Sequence, residues 1–244
     1  MFYKSEDTML YRNKTVAMQR LQDLARHYDR WTGGVVAVAK FEALSEKFAE
    51  LYETAILASS KNRRKKKGQA VATFLAYADG DSVHWWLLAT SGRGKITQRE
   101  ILMTVAERRI TAPGGYELVH DGVSWSWKYT THQYQKLRDS LHYAIASKRD
   151  VQLQSLIVSI YATVGFRLAR VQVGDLIAFY WRDWARLRGL DDKPALPKTL
   201  YYARRLPNRA PNADLGANVG EGAAITDAPV FPGKKQSLIC SANQ

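Results

Sequence analysis

The spacing of apolar side chains predicts two helices near the start of the chain. Asn13 can cap the first, and apolar residues then recur every three or four positions as far as Trp31, where the glycines at 33–34 are expected to end it. The second is predicted to bury the apolar face that starts at Phe41. Its other face carries an acidic stripe of Glu42, Glu46, Glu50 and Glu53. We therefore expect an N-terminal helical pair over residues 13–60.

From residue 69 the pattern changes to β-branched and aromatic side chains, which favour strands. Turn residues separate two pairs of such segments, at 79–81 in the first pair and at 121–122 in the second. An Asp-Gly step between two strand-like segments is typical of a β-hairpin. The predicted strands cover residues 69–77, 83–90, 116–120 and 123–129. We expect these two hairpins to form one small antiparallel sheet.

Further helices are predicted after the hairpins. Thr97 and Glu100 have the spacing of a reciprocal capping pair, so a helix is expected from Thr97 to about Arg109. Three more are predicted over residues 131–147, 150–164 and 166–188. The predicted fold is therefore α+β, with a small antiparallel sheet of two hairpins packed by about six helices.

These elements are assigned to a single domain over residues 1–189. After the N-terminal helical pair, the domain contains a hairpin-helix region at 69–147 and a C-terminal helical pair at 150–188. The apolar fraction of 46% and the seven tryptophans indicate a substantial hydrophobic core.

The composition changes after residue 189. Six of the seven prolines lie at Pro194 or beyond, and residues 212–226 are small, polar and rich in glycine. Such a segment buries too little apolar surface to offset the entropy lost on folding. We therefore predict a largely disordered, Pro- and Gly-rich tail over 190–244, in which residues 200–202 are expected to dock on the domain.

Charge is concentrated at residues 61–67, where six cations occupy seven positions in a chain of net charge +13. This basic run is predicted to be an exposed loop between a helix and a strand. Lysines and arginines in such a loop could contact phosphates and release their counterions, which gives sequence-independent affinity for nucleic acid. One alternative is a solvated linker. Another is a segment that binds an anionic membrane surface, but no adjacent amphipathic anchor supports it.

A glycine loop at residues 91–95 follows the second predicted strand and resembles a phosphate-binding P-loop in position only. The motif requires glycine where Ala89 stands and Ser or Thr where Ile96 stands. Nucleotide hydrolysis is therefore not expected. Arg93 and Lys95 remain candidates for backbone phosphate contacts beside the basic run, and the alternative is a tight strand-helix connection.

The last predicted helix carries arginines at both ends of one face, with small residues between them. The arginines are Arg167, Arg170, Arg182 and Arg186, and the small residues are Gly174 and Ala178. This notch could admit a phosphate backbone or another helix. Because Asp175 and Asp183 offer local partners, an ordinary surface helix of mixed charge is the alternative.

Aromatic residues are frequent on the predicted strands. Trp125, Trp127 and Tyr129 share one face, whereas the adjacent Trp85 and Trp86 must point to opposite faces. Exposed aromatic rings on a sheet can stack unpaired bases. Burial in the core is favoured here, because several helices need a sheet to cover.

Catalytic and metal-binding patterns are weak. No histidine has a zinc-like spacing, so neither a metal site nor a cofactor is predicted. A metal-dependent nuclease using the acidic stripe and Lys47 is kept as an alternative. The single cysteine, Cys240, and the acidic start of the chain predict a cytoplasmic protein. No stretch of about 18 apolar residues occurs, so we do not expect the protein to enter membranes.

The leading functional prediction is non-catalytic nucleic-acid binding, with DNA favoured over RNA, by an accessory factor of plasmid or phage DNA processing. One alternative is an adaptor or inhibitor that binds a larger protein complex through the last helix or the tail, and homo-oligomers are left open. The predicted nucleic-acid-binding residues are Lys61, Arg63, Arg64, Lys65, Lys66, Lys67, Arg93, Lys95, Arg167, Arg170, Arg182 and Arg186.

Overall fold

The computed structural model describes residues 9–189, 196–197 and 200–206. Most of the predicted tail over 190–244 therefore lies outside the described residues. In chain order the elements are β1 (Met9–Tyr11), α1 (Lys14–Leu24), β2 (Arg30–Ala37), α2 (Val38–Tyr52), α3 (Ala58–Lys66), β3 (Ala72–Asp79), β4 (Ser82–Ala89), α4 (Lys95–Arg99), β5 (Met103–Thr104), β6 (Thr111–Ala112), β7 (Tyr116–His120), β8 (Trp125–Tyr129), α5 (Thr131–Ala146), α6 (Asp150–Tyr161) and α7 (Arg167–Arg188).

The predicted α+β class is confirmed, and both predicted hairpins form. Gly80 and Gly122 occupy their turns with positive φ angles of 57° and 93°, a conformation in which glycine carries no steric cost. The hairpins belong to two different sheets, however. The order is β1-β3-β4-β2-β5 in the larger sheet and β6-β7-β8 in the smaller one, and β1 pairs with β3 in parallel.

Strand β2 occupies positions that the apolar periodicity assigned to the first helix, so that prediction is wrong beyond Leu24. Asn13 does cap α1, and its side chain accepts the N–H of Val16 at 3.2 Å. β2 pairs with β4 along its whole length. A Cβ on Gly34 would lie 3.2 Å from the ring of Trp85. The glycine therefore leaves room for a tryptophan of the neighbouring strand and does not end a helix.

The helix predicted from Thr97 to Arg109 is also wrong, because α4 ends at Arg99. The Thr97 hydroxyl donates to carbonyl oxygens of the glycine loop, and Glu100 accepts a hydrogen bond from the Tyr52 hydroxyl. Neither side chain takes part in a reciprocal capping pair. The chain then adds the short strand β5 to the edge of β2.

The larger sheet is covered on both faces. On one face, α2 packs Phe48 against Phe74 of β3, with ring centroids 5.3 Å apart. On the other, α1 and the smaller sheet enclose Trp31, Trp86 and Trp127. The predicted burial of the aromatic strand residues is therefore confirmed for Trp86 and Trp127, and these rings cannot serve as a base-stacking platform.

The three C-terminal helices match their predictions to within a few residues and form a third apolar cluster. Helix α7 joins this cluster to the smaller sheet. The side-chain amide of Gln172 accepts the N–H of Tyr129 at 2.6 Å and donates to its carbonyl oxygen at 3.1 Å, much as a neighbouring strand would. This bond pair sets the position of α7 along β8.

Residues 200–206 pack back onto the domain, as predicted for Leu200. The N–H of Ala203 donates to the carbonyl oxygen of Gly165 at 2.9 Å, and Gln19 exchanges hydrogen bonds with the backbone of residues 204 and 206. A Cβ on Gly165 would lie 1.8 Å from the carbonyl oxygen of Tyr201, so only glycine allows this approach. Residues 200–206, which fall within the predicted tail, therefore contribute to the fold.

Candidate functional site

The basic run forms most of helix α3, so its prediction as a loop is wrong. Lysine and arginine are good helix formers, and cations in a last turn interact favourably with the negative end of the helix dipole. The helix ends in a Schellman motif, in which Gly68 and Gln69 donate to the carbonyl oxygens of Lys65 and Arg64 at 3.0 and 3.1 Å. Gly68 supplies the positive φ of 70° that this ending requires.

Three of the predicted binding residues hold α3 on the domain. Arg64 forms a two-pronged ion pair with Glu53, and Lys65 lies over the ring of Tyr28, 4.6 Å from its centroid. Lys61 donates to the carbonyl oxygen of Thr54 at 2.8 Å. These partners offset part of the repulsion among the cations, and their removal would loosen the helix.

The glycine loop lies directly against the end of α3. Arg93 donates its N–H to the carbonyl oxygen of Gly68 at 3.1 Å and accepts the N–H of Ala70 at 3.0 Å, which forms an isolated parallel bridge to Gln69. A Cβ on Gly92 would lie 2.7 Å from the Gly68 oxygen, and its φ of 135° also favours glycine. The predicted neighbourhood of the two cationic segments is therefore present in the fold.

Five exposed cations remain around this bridge, and we call them the basic surface: Arg63, Lys66, Lys67, Arg93 and Lys95. Among the described residues, no ion pair or hydrogen bond involves the side chains of the first four. Glu53 is an acidic group close to Lys95. Its hydrogen bond from Arg64 lowers its pKa against the opposing effect of burial, and Lys95 lowers it further. The carboxylate therefore stays ionised, while the basic surface keeps its excess positive charge.

The arginines of α7 behave differently, because three of the four already have partners, two of them outside the helix. Arg167 pairs with Asp121 in the β7–β8 turn, and Arg186 pairs with Asp183 at 2.6 Å. Arg170 donates to the carbonyl oxygen of Leu200 at 3.0 Å and lies over the Tyr202 ring, 3.5 Å from its centroid. The predicted binding face is thus largely a set of structural contacts.

The fourth arginine, Arg182, lines a groove of about 520 Å³ between α5 and α7. We call this cavity the α5–α7 groove; its lining residues are Tyr134, Arg138, Asp175, Ala178, Phe179 and Arg182. Of the two small residues of the predicted notch, Ala178 lines the groove and Gly174 does not, although a Cβ on Gly174 would meet no atom within 4 Å. No described contact connects this groove to the basic surface.

One turn beyond the groove, His142 of α5 binds the buried carboxylate of Asp183 on α7. Their Nδ1 and Oδ2 atoms lie 2.7 Å apart. Burial alone would raise the pKa of Asp183, but the hydrogen bonds from Arg186 and His142 lower it. Sequence analysis missed this pair because its members are 41 positions apart and no local spacing relates them.

Neither a metal cluster nor a membrane-spanning helix is found in the ranges that the structure describes. No three His, Cys, Asp or Glu side chains there come together as metal ligands, and Glu42, Glu46 and Glu50 all point to solvent. None of those helices is both long and apolar enough to cross a bilayer.

The chain was also compared with known proteins. No protein-family model, no curated protein and no solved structure matches it.

Proposed function

We propose that the basic surface binds the phosphate backbone of nucleic acid without catalysis and with little base specificity. The observation that carries the proposal is the backbone bridge between Gln69 and Arg93, which joins two cationic segments into one exposed patch. Exposed cations without local partners keep their charge available for phosphates, and each phosphate contact releases counterions. DNA as the favoured ligand, an accessory role in plasmid or phage DNA processing and a location in the cytoplasm are parts of the proposal that rest on sequence character.

Some cations of the two segments stabilise the fold, whereas others are free to be replaced in a test of binding. Arg64, Lys65 and Lys61 hold α3 in place, so their loss would change both the fold and the charge. Arg63, Lys66, Lys67 and Arg93 are exposed and have no such contacts in the described part of the chain. A variant with these four changed to glutamine separates binding from stability.

The test is a salt titration of binding, with labelled duplex DNA, single-stranded DNA and RNA in fluorescence anisotropy between about 50 and 200 mM salt. Each lost duplex contact lowers the slope of log K against log salt by about 0.9, so four lost contacts lower it by about 3.6. Binding should weaken alike for all sequences, because phosphates carry no base information.

The matched control removes the same charge elsewhere, by changing Lys40, Lys47, Lys136 and Arg204 to glutamine. These side chains are also exposed, and none of them belongs to the basic surface. The control should keep most of the wild-type slope, and both variants should melt at the wild-type temperature. Equal slopes in the two variants would contradict the proposal and favour a protein partner.

A further inference from the structure

The α5–α7 groove is lined by two arginines, two aromatic rings and one carboxylate. Its volume of about 520 Å³ falls within the about 300–1,000 Å³ that small-molecule sites occupy. The guanidinium of Arg138 lies over the ring of Phe179, 4.6 Å from its centroid, and Tyr134 adds a second ring to the lining. Arg182 reaches the same cavity from α7 and is exposed.

Next to the groove, α5 and α7 are tied together by a hydrogen bond outside its lining. Helices α5 and α7 run side by side in the same direction, since Arg138 meets Phe179 while His142, one turn later, meets Asp183. The buried Asp183 carboxylate ties α7 to α5 through His142 and also holds Arg186. The spacing of the two helices is therefore fixed next to the groove, which leaves Arg138 and Arg182 as the cations that can meet a ligand.

We propose that the α5–α7 groove binds one unpaired nucleotide of a single-stranded nucleic acid. The base stacks on the guanidinium plane of Arg138, which Phe179 supports from below, because bases stack on arginine planes as well as on aromatic rings. Arg182 binds the adjoining phosphate. A base can enter the cavity only when it is free of its partner strand, so duplex DNA is excluded from this site.

The inference deepens the proposed function and rests on it, since the basic surface supplies the general affinity for phosphates. Asp175 also lines the groove, and its carboxylate repels a phosphate bound by Arg182. The two side chains should therefore have opposite effects on the same ligand. A purely structural role for either residue would not give this pair of effects.

The test compares the binding of single-stranded DNA, single-stranded RNA and duplex DNA by four variants. Arg182→Gln should weaken single-strand binding about three- to tenfold, and Asp175→Asn should strengthen it by a similar factor. Arg138→Lys keeps the charge but loses the stacking plane, so it should weaken single-strand binding at least about fivefold. Lys136→Gln, on α5 but outside the groove, is the control and should have no effect. None of the four should change duplex binding.

The outcomes separate this inference from the proposed function. If the four-site variant of the basic surface loses affinity while the groove variants bind single strands like the wild type, the basic surface stands and the groove inference is overturned. It is also overturned if Arg182→Gln weakens duplex and single-strand binding equally, or if Asp175→Asn fails to strengthen single-strand binding. A wild-type protein that binds none of the three ligands overturns both.

Discussion

The basic surface and the arginine face of α7 have similar numbers of cations, but these cations differ in what they contact. Around the bridge at Arg93, four side chains face solvent without a partner among the described residues. On α7, Arg167, Arg170 and Arg186 are engaged by a turn carboxylate, a docked segment and a buried aspartate. A positive charge that already has a partner contributes little to ligand binding, because the partner must first be displaced or shared.

The difference arises from distance along the chain. The partner of Arg167 lies 46 positions away and that of Arg170 lies 30 positions away, so both are brought in by the fold. Four cations of the basic surface have no such ion pair among the described residues, and the nearby Glu53 is already bound by Arg64. The number of cations on a helix therefore does not show how many of them are free to bind a ligand.

The largest expected effect comes from separating the two halves of the basic surface. Gly92→Ala places a Cβ 2.7 Å from the Gly68 oxygen and forces alanine to a φ of 135°. We expect the free energy of unfolding to fall by about 2–3 kcal/mol, because such strain costs about 1–3 kcal/mol before any clash is added. Urea denaturation measures the change, and the salt slope of nucleic-acid binding should fall with it as Arg93 leaves the patch.

Gly94→Ala is the matched control for this change. Gly94 has an extended backbone, and a Cβ there would meet its nearest atom, the Cβ of Ala70, at 3.3 Å. Its cost should stay well below that of Gly92→Ala. Similar losses from the two variants would show that the loop is generally sensitive and that the bridge is not the reason.

A smaller effect is expected from the arginine face of α7. Arg170→Gln removes both the hydrogen bond to Leu200 and the stacking on Tyr202, so we expect a loss of about 1–2 kcal/mol in the free energy of unfolding. Arg182→Gln, on the same helix, should leave that free energy unchanged because Arg182 has no such partner in the described ranges. Duplex binding should respond to neither change.

Limited proteolysis followed by mass spectrometry checks the physical reason for the Arg170 effect. If docking of residues 200–206 is lost, cleavage should begin earlier in this segment in Arg170→Gln than in Arg182→Gln. Identical denaturation curves for the two variants would mean that the contacts of Arg170 do not stabilise the fold. The arginines of α7 would then not differ from the cations of the basic surface in this respect.

Local signals predicted much of the fold. The Asp-Gly turns between β-rich segments gave both hairpins, and the apolar periodicity gave α5, α6 and α7. Each of these features is decided by residues within a few positions of one another. Strand β2 was missed because its partner β4 starts 45 positions after Ala37, and only that partner supplies the Trp85 ring that explains Gly34.

The candidate site was predicted in part. The proximity of the basic run to Arg93 followed from their places at the two ends of one hairpin, but the helical state of α3 did not. The place of the basic run between a predicted helix and a predicted strand indicated a loop, whereas Glu53 and Tyr28 supply a carboxylate and a ring that a sequence pattern does not bring together. The α5–α7 groove forms only where α5 and α7 pack side by side, so no sequence pattern gave a reason to select Arg138.

The smallest expected effect concerns Glu53, a carboxylate beside the basic surface. The ion pair with Arg64 lowers the pKa of Glu53 below its usual 4.5, so folding favours the ionised carboxylate. The stabilisation is therefore present above pH 4.5, the value in the unfolded chain, and is lost as the pH falls through the lower folded value. Because both side chains are partly exposed and screened, we expect less than about 1 kcal/mol.

Glu53→Gln tests this sign directly, since glutamine keeps the shape of the side chain and cannot titrate. At neutral pH the variant should be slightly less stable than the wild type in urea denaturation, and the two curves should converge as the pH falls below 4.5. The same variant should bind nucleic acid somewhat more tightly at neutral pH, because a carboxylate beside the phosphates is gone while Arg64 gains a free charge. If the stability difference persists at low pH, Glu53 stabilises the fold through packing and not through its charge. This outcome would contradict the prediction.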